Sequence, residues 1–164
     1  MKKIISTAAL LLIVYTCFAQ VTYYIGEWTV KDKPDLFTCV CKIEIQNDGI
    51  VKGELIWTYI SIDSSNAELA KAYKGKEGRS GIEYVEGIYK AAIKDIYLET
   101  IKLTDRWEIL GSTKYLIKLS ADQQVLYGIT TALNDEEPGL FYAAKMQLSG
   151  EKKFHSLKTK IQSE

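Results

Sequence analysis

Two cysteines, Cys39 and Cys41, stand two apart in an alternating run, so on a strand both thiols share one face with Phe37 and Ile43. At that spacing the Cα atoms lie nearly ~7 Å apart, at or beyond the reach of a relaxed disulfide. A mutual bridge is therefore not expected unless a bulge intervenes. With no nearby His and no second Cys pair they make a poor metal site, and burial as small hydrophobes is the favoured reading. No local base is visible that would turn either thiol into a nucleophile.

The acid–base inventory is thin. His155 is the one histidine and falls in a polar, Lys-rich stretch near the end of the chain, so neither a triad nor a two-His metal site is expected. Glu83 with Glu86, and Asp95 with Glu99, are carboxylate pairs whose strand register is not set by the sequence, and surface placement is expected for both. Asp135, Glu136 and Glu137 lack the spaced pattern of a calcium loop and read as a solvated acidic loop. A phosphate-binding glycine loop, a nucleophile elbow and a CxxC are all absent from the sequence. No metal and no cofactor is expected, and the chain reads as a non-enzyme. Aromatic residues are the richer resource: 3 Trp, 11 Tyr and 4 Phe supply flat apolar surface, with a polar tip on each Tyr. Trp57 and Tyr59 share a face with Leu55.

These residues need a scaffold, and the chain has 164 residues, enough for one domain. Lys+Arg and Asp+Glu are each 21, which gives no basic excess for a nucleic-acid backbone. Residues 1–19 separate from the rest: Lys2 and Lys3, then an apolar run from Ile4 to Phe18, then Cys17-Phe18-Ala19. That is the pattern of a secretory signal cut after Ala19, too short to span a bilayer comfortably. An uncleaved anchor, or acylation at Cys17 in a poor lipobox, are the alternatives. The expectation is an exported protein, periplasmic or secreted, whose residues 20–164 carry 19 basic and 21 acidic side chains.

Period-2 alternation then recurs along the chain, punctuated by turns. It marks strands over 23–30, 37–46, 50–60, 82–92, 95–103, 114–119, 125–132 and 140–148. Asn47-Asp48-Gly49 makes a strong hairpin turn. A short helix is expected near 66–74, capped by Ser65 or Asn66 and ended by Gly75, with a glycine-rich loop over 74–81 that could act as a lid. The fold class is therefore all-β: about eight mostly antiparallel strands in an up-and-down barrel over 20–148. The stretch 149–164 reads as a polar, solvated tail and a candidate for disorder.

Gly26-x-Trp28 on the first strand, ahead of such a meander, resembles lipocalins and the related avidin-like barrels of the calycin type. The resemblance implies a divergent bacterial barrel whose Trp28 closes one end beneath the interior. It departs from lipocalins in two respects. No Arg follows the last strand to cross that Trp, and the expected helix interrupts the strands rather than following them. Biotin binding is not implied.

Together these readings point to an exported binding module for a small apolar or aromatic molecule, with Trp28, Trp57, Tyr59, Cys39 and Cys41 as candidate ligand-binding residues. A barrel packed solid that meets a protein partner through surface loops is the alternative, and a small thiol-dependent enzyme comes last. Neither a nucleic-acid partner nor a membrane span is expected.

Overall fold

The computed structural model describes residues 19–30, 36–62, 65, 67–132, 138–147 and 149–163. Residues 1–18, with the leader reading, the Asn66 cap and the acidic cluster at 135–137 lie outside them. Eight strands close into an antiparallel barrel in sequence order. They are β1 (Gln20–Val30), β2 (Leu36–Ile45), β3 (Ile50–Ser61), β4 (Ser80–Lys90), β5 (Asp95–Thr104), β6 (Thr113–Leu119), β7 (Val125–Ala132) and β8 (Gly139–Lys145). The helix α1 (Ala67–Tyr73) lies between β3 and β4, as expected, and a second helix, α2 (Gly150–Ser163), follows β8.

Each hairpin is local, and one seam is not: β1 pairs with β8, from Tyr24↔Lys145 to Val30↔Gly139. Gly26 makes that seam possible. A Cβ there would stand 2.0 Å from the backbone oxygen of Tyr142, so only glycine lets the two strands curl together at this point. Inside the barrel the alternating side chains form one core, including Tyr24, Cys41, Val51, Leu55, Ile96, Ile117 and Phe141. The end of the barrel at the β2–β3 hairpin is filled, with about 10 Å³ of space among Thr22, Tyr24, Ile43, Ile45 and Leu119.

The polar-tail expectation fails at 150–163, and the reason is a stripe within the lysines. Phe154, Leu157 and Ile161 fall at i, i+3 and i+7, one face of a helix. That face covers Val40, Ile56 and Ile82 on the outer surface of β2, β3 and β4, with Phe154 wholly buried. The register sets Val40 beside Ile56 and Ile56 beside Ile82, so the three make one apolar row under the helix. Lys158 and Lys42 (3.3 Å) then both meet Glu54 beside this contact.

Candidate functional site

The barrel's other end holds a cavity of about 290 Å³. Its walls are Trp28, Phe37, Trp57, Thr113 and Tyr115, and Glu83 also faces it. Leu69 and Tyr73 of α1 cover it together with Ile109, Leu110 and Gly111 from the β5–β6 loop.

Local chemistry builds that cover. The Asp105 carboxylate accepts hydrogen bonds from the backbone N–H groups of Trp107 (3.1 Å), Ile109 (2.6 Å) and Leu110 (2.6 Å), which folds the loop back over the barrel. Tyr73 donates its hydroxyl to the Ile109 carbonyl at 3.1 Å and so ties α1 to the loop. The 74–81 segment, expected as a lid, is instead held against the end of β3: Gly78 N–H donates to the Tyr59 carbonyl (2.9 Å) and Tyr59 N–H to the Arg79 carbonyl (3.0 Å). Arg79 lies 4.0 Å over the Trp107 ring.

Trp28 is a wall residue at this end rather than a plug beneath the interior, because Gly26-x-Trp28 comes late in β1. Its indole N–H donates to Thr130 Oγ1 at 2.6 Å. Gly139 leaves the space for the ring: a Cβ there would fall 1.9 Å from the indole nitrogen. Phe37 meets Trp28 edge-on at 5.6 Å and packs on Tyr59 at 5.4 Å, and Tyr59 meets Tyr73 at 5.0 Å. Tyr59 thus supports the wall and the cover together.

Glu83 is the residue that sequence reasoning misplaced. It is 2% exposed and points into the barrel, whereas Glu86 is exposed on the outside. Three side chains donate to its carboxyl group: Trp57 Nε1–H at 2.8 Å and Tyr115 O–H at 2.5 Å to one oxygen, and the Thr100 hydroxyl to the other. A bulge at Ile101, between the pairs Tyr84↔Lys102 and Val85↔Thr100, sets Thr100 in this place. Burial pushes the Glu83 carboxyl above its ordinary range; the bonds from Thr100, Tyr115 and Trp57 pull down without cancelling it. Burial and the neighbouring Glu83 likewise push the Tyr115 phenol well up.

Asp95 and Glu99 each face a lysine across the β5–β6 pair. Glu99 is exposed and meets Lys114 at 3.2 Å, while Asp95, largely buried at the end of β5, meets Lys118 at 3.4 Å. His155 is exposed on α2, 3.8 Å from Glu151. Among the described residues no group of three His, Cys, Asp or Glu could hold a metal ion, and no helix is long and apolar enough to cross a membrane.

Cys39 and Cys41 are free, buried thiols in the barrel core, with their sulfurs 3.3 Å apart. Burial, then the contact with Cys41, push the Cys39 thiol well above its ordinary range. A protonated, enclosed thiol reacts through opening of the fold. Alkylation at Cys39 and Cys41 of the native protein at pH 8 is therefore expected to be at least ~100-fold slower than in denaturant, as counted by peptide mass spectrometry. Rapid labelling at either of these two positions in the native chain would contradict the placement.

The site thus combines an aromatic box, one enclosed carboxyl group and a tied-down cover. Comparison with protein-family models, with curated proteins and with solved structures finds no match to this chain.

Proposed function

We propose that the chain is an exported, non-enzymatic binding module of divergent lipocalin-like type, which holds a small apolar or aromatic molecule under α1. The observation that carries this reading is the cavity of about 290 Å³, walled by Trp28, Phe37 and Trp57 with Glu83 at its side. Aromatic walls with a few fixed polar groups are the usual composition of ligand pockets, and this volume is near the lower limit of roughly 300–1,000 Å³ for them. A small planar molecule suits it better than a long acyl chain.

Glu83 gives the site its polar end. When neutral, its O–H can donate to Thr100, whose own hydroxyl then turns to the Thr113 carbonyl at 3.0 Å. When ionised, it accepts from Thr100 instead. The neutral group has one O–H, given either to Thr100 or to an acceptor on the ligand, and the ionised group can accept from a ligand donor; neither state gives up Trp57 or Tyr115. The leader-like residues 1–19 support export. The eight-stranded barrel, and a helix that follows the last strand and packs outside it, support the lipocalin-like kinship. A carboxyl group already bound by three donors supports binding rather than turnover.

Trp28 and Trp57 both line the cavity, so occupancy is expected to change intrinsic fluorescence. Titration with a panel of small aromatic molecules should give saturable quenching or a spectral shift for at least one member, and Gly111→Trp at the cover should abolish it. If no compound perturbs the fluorescence of the folded protein, this reading falls.

A further inference from the structure

A closed barrel offers no strand edge, so association must use side-chain faces. The helix α2 takes the outer surface of β1–β4. On the remaining wall the register sets five outward apolar side chains in one row across β4–β8: Ile88↔Tyr97↔Leu116↔Ile129↔Leu140. Ile88, Leu116, Ile129 and Leu140 are each 40–49% exposed. A contiguous apolar band of this kind marks an interaction surface.

The charges beside the band identify what fits it. One residue row to one side stand Glu99 on β5 and Lys114 on β6; to the other side stand Asp95 on β5 and Lys118 on β6. We propose that this face is a symmetric interface for a second copy of this chain, with the twofold axis parallel to the strands between β5 and β6. That rotation places each β5 residue over the counterpart of its own β6 neighbour. Tyr97 meets Leu116 of the second copy, Ile88 meets Ile129, Glu99 meets Lys114 and Asp95 meets Lys118, each contact occurring twice. The other in-plane twofold, along the apolar row, sets Glu99 against Asp95 and Lys114 against Lys118, so like charges oppose. The Glu99–Lys114 and Asp95–Lys118 pairs already meet within one chain (3.2 and 3.4 Å), and in this orientation each extends into a four-charge cluster with its counterpart, so the face is complementary to itself.

Light scattering on the purified full-length chain across concentration is expected to show a dimer. Leu116→Asp should weaken it at least ~100-fold, and Glu99→Lys or Lys114→Glu alone at least ~10-fold. An equimolar mixture of the two charge variants should restore assembly, because one copy then presents two cations to two carboxylates of the other. Unfolding curves for each variant establish that it is folded. A monomer at every concentration, with the band bare or covered by residues 1–18, overturns the proposal. So does a dimer that Leu116→Asp leaves intact, or a mixture that stays monomeric.

Discussion

Replacing Glu83 with Leu is expected to destabilise the protein by about 2–5 kcal/mol, whereas Glu83→Gln changes stability by about 1 kcal/mol or less. Leucine leaves the Trp57 N–H and the Tyr115 O–H buried with no acceptor, at roughly 1–3 kcal/mol each. The Thr100 hydroxyl can turn to the Thr113 carbonyl and so costs little. Glutamine keeps the network whole: its oxygen accepts from Trp57 and Tyr115, and its amide donates to Thr100. The two variants also separate charge from hydrogen bonding. Since the folded Glu83 carboxyl is raised above its ordinary range, the unfolded chain ionises first as the pH rises. The contribution of Glu83 is then fully present below the unfolded carboxyl value of about 4.3 and declines as the pH passes through the folded value. The stability of the wild type relative to Glu83→Gln should therefore fall as the pH rises above about 4.3, as read from urea midpoints. A difference that grows with pH would mean that the ionised group is the favoured one in the fold.

Phe154→Ala is expected to cost about 3–5 kcal/mol, the range for truncating a wholly buried phenylalanine. The ring sits between α2 and the row formed by Val40, Ile56 and Ile82, and it meets Tyr23 at 5.7 Å. Its loss should free the helix before it opens the barrel, because hairpin pairing within β1–β8 does not depend on α2. Amide exchange should then accelerate across 150–163 while the β2 and β3 amides remain protected. A loss below about 1 kcal/mol would mean that α2 contributes little to the fold.

Alternation placed the strands and the fold class because a barrel wall with one buried face writes period 2 into the sequence. The phase of β4 was not legible, and Glu83 was misplaced for that reason. The inward set on β4 is Gly81, Glu83, Val85, Gly87 and Tyr89, while the outward set is Ile82, Tyr84, Glu86 and Ile88. The outward set looks more apolar because α2 covers Ile82 and the exposed band takes Ile88. A one-residue change of phase exchanges the two faces, and the sequence left that phase open. The Leu55-Ile56-Trp57 run held the missing signal: three consecutive buried residues in a strand require cover on both faces. The stripe of Phe154, Leu157 and Ile161 was its partner, sparse among lysines and far away along the chain. Of the proposed ligand-binding residues, Trp28 and Trp57 line the cavity, Tyr59 stands behind it, and the two cysteines lie within the core.

The seam between β1 and β8 joins the two extremities of the barrel sequence; across it Trp28 of β1 reaches past Gly139 of β8 to bond Thr130 of β7, 102 residues away. Every other strand can zip to its neighbour as synthesis proceeds, but the ring cannot shut until the final strand has emerged. Until then two ribbons of unsatisfied amides lie open to any passing chain. Delayed completion makes the interval before ring closure the one when clumping competes most strongly with success.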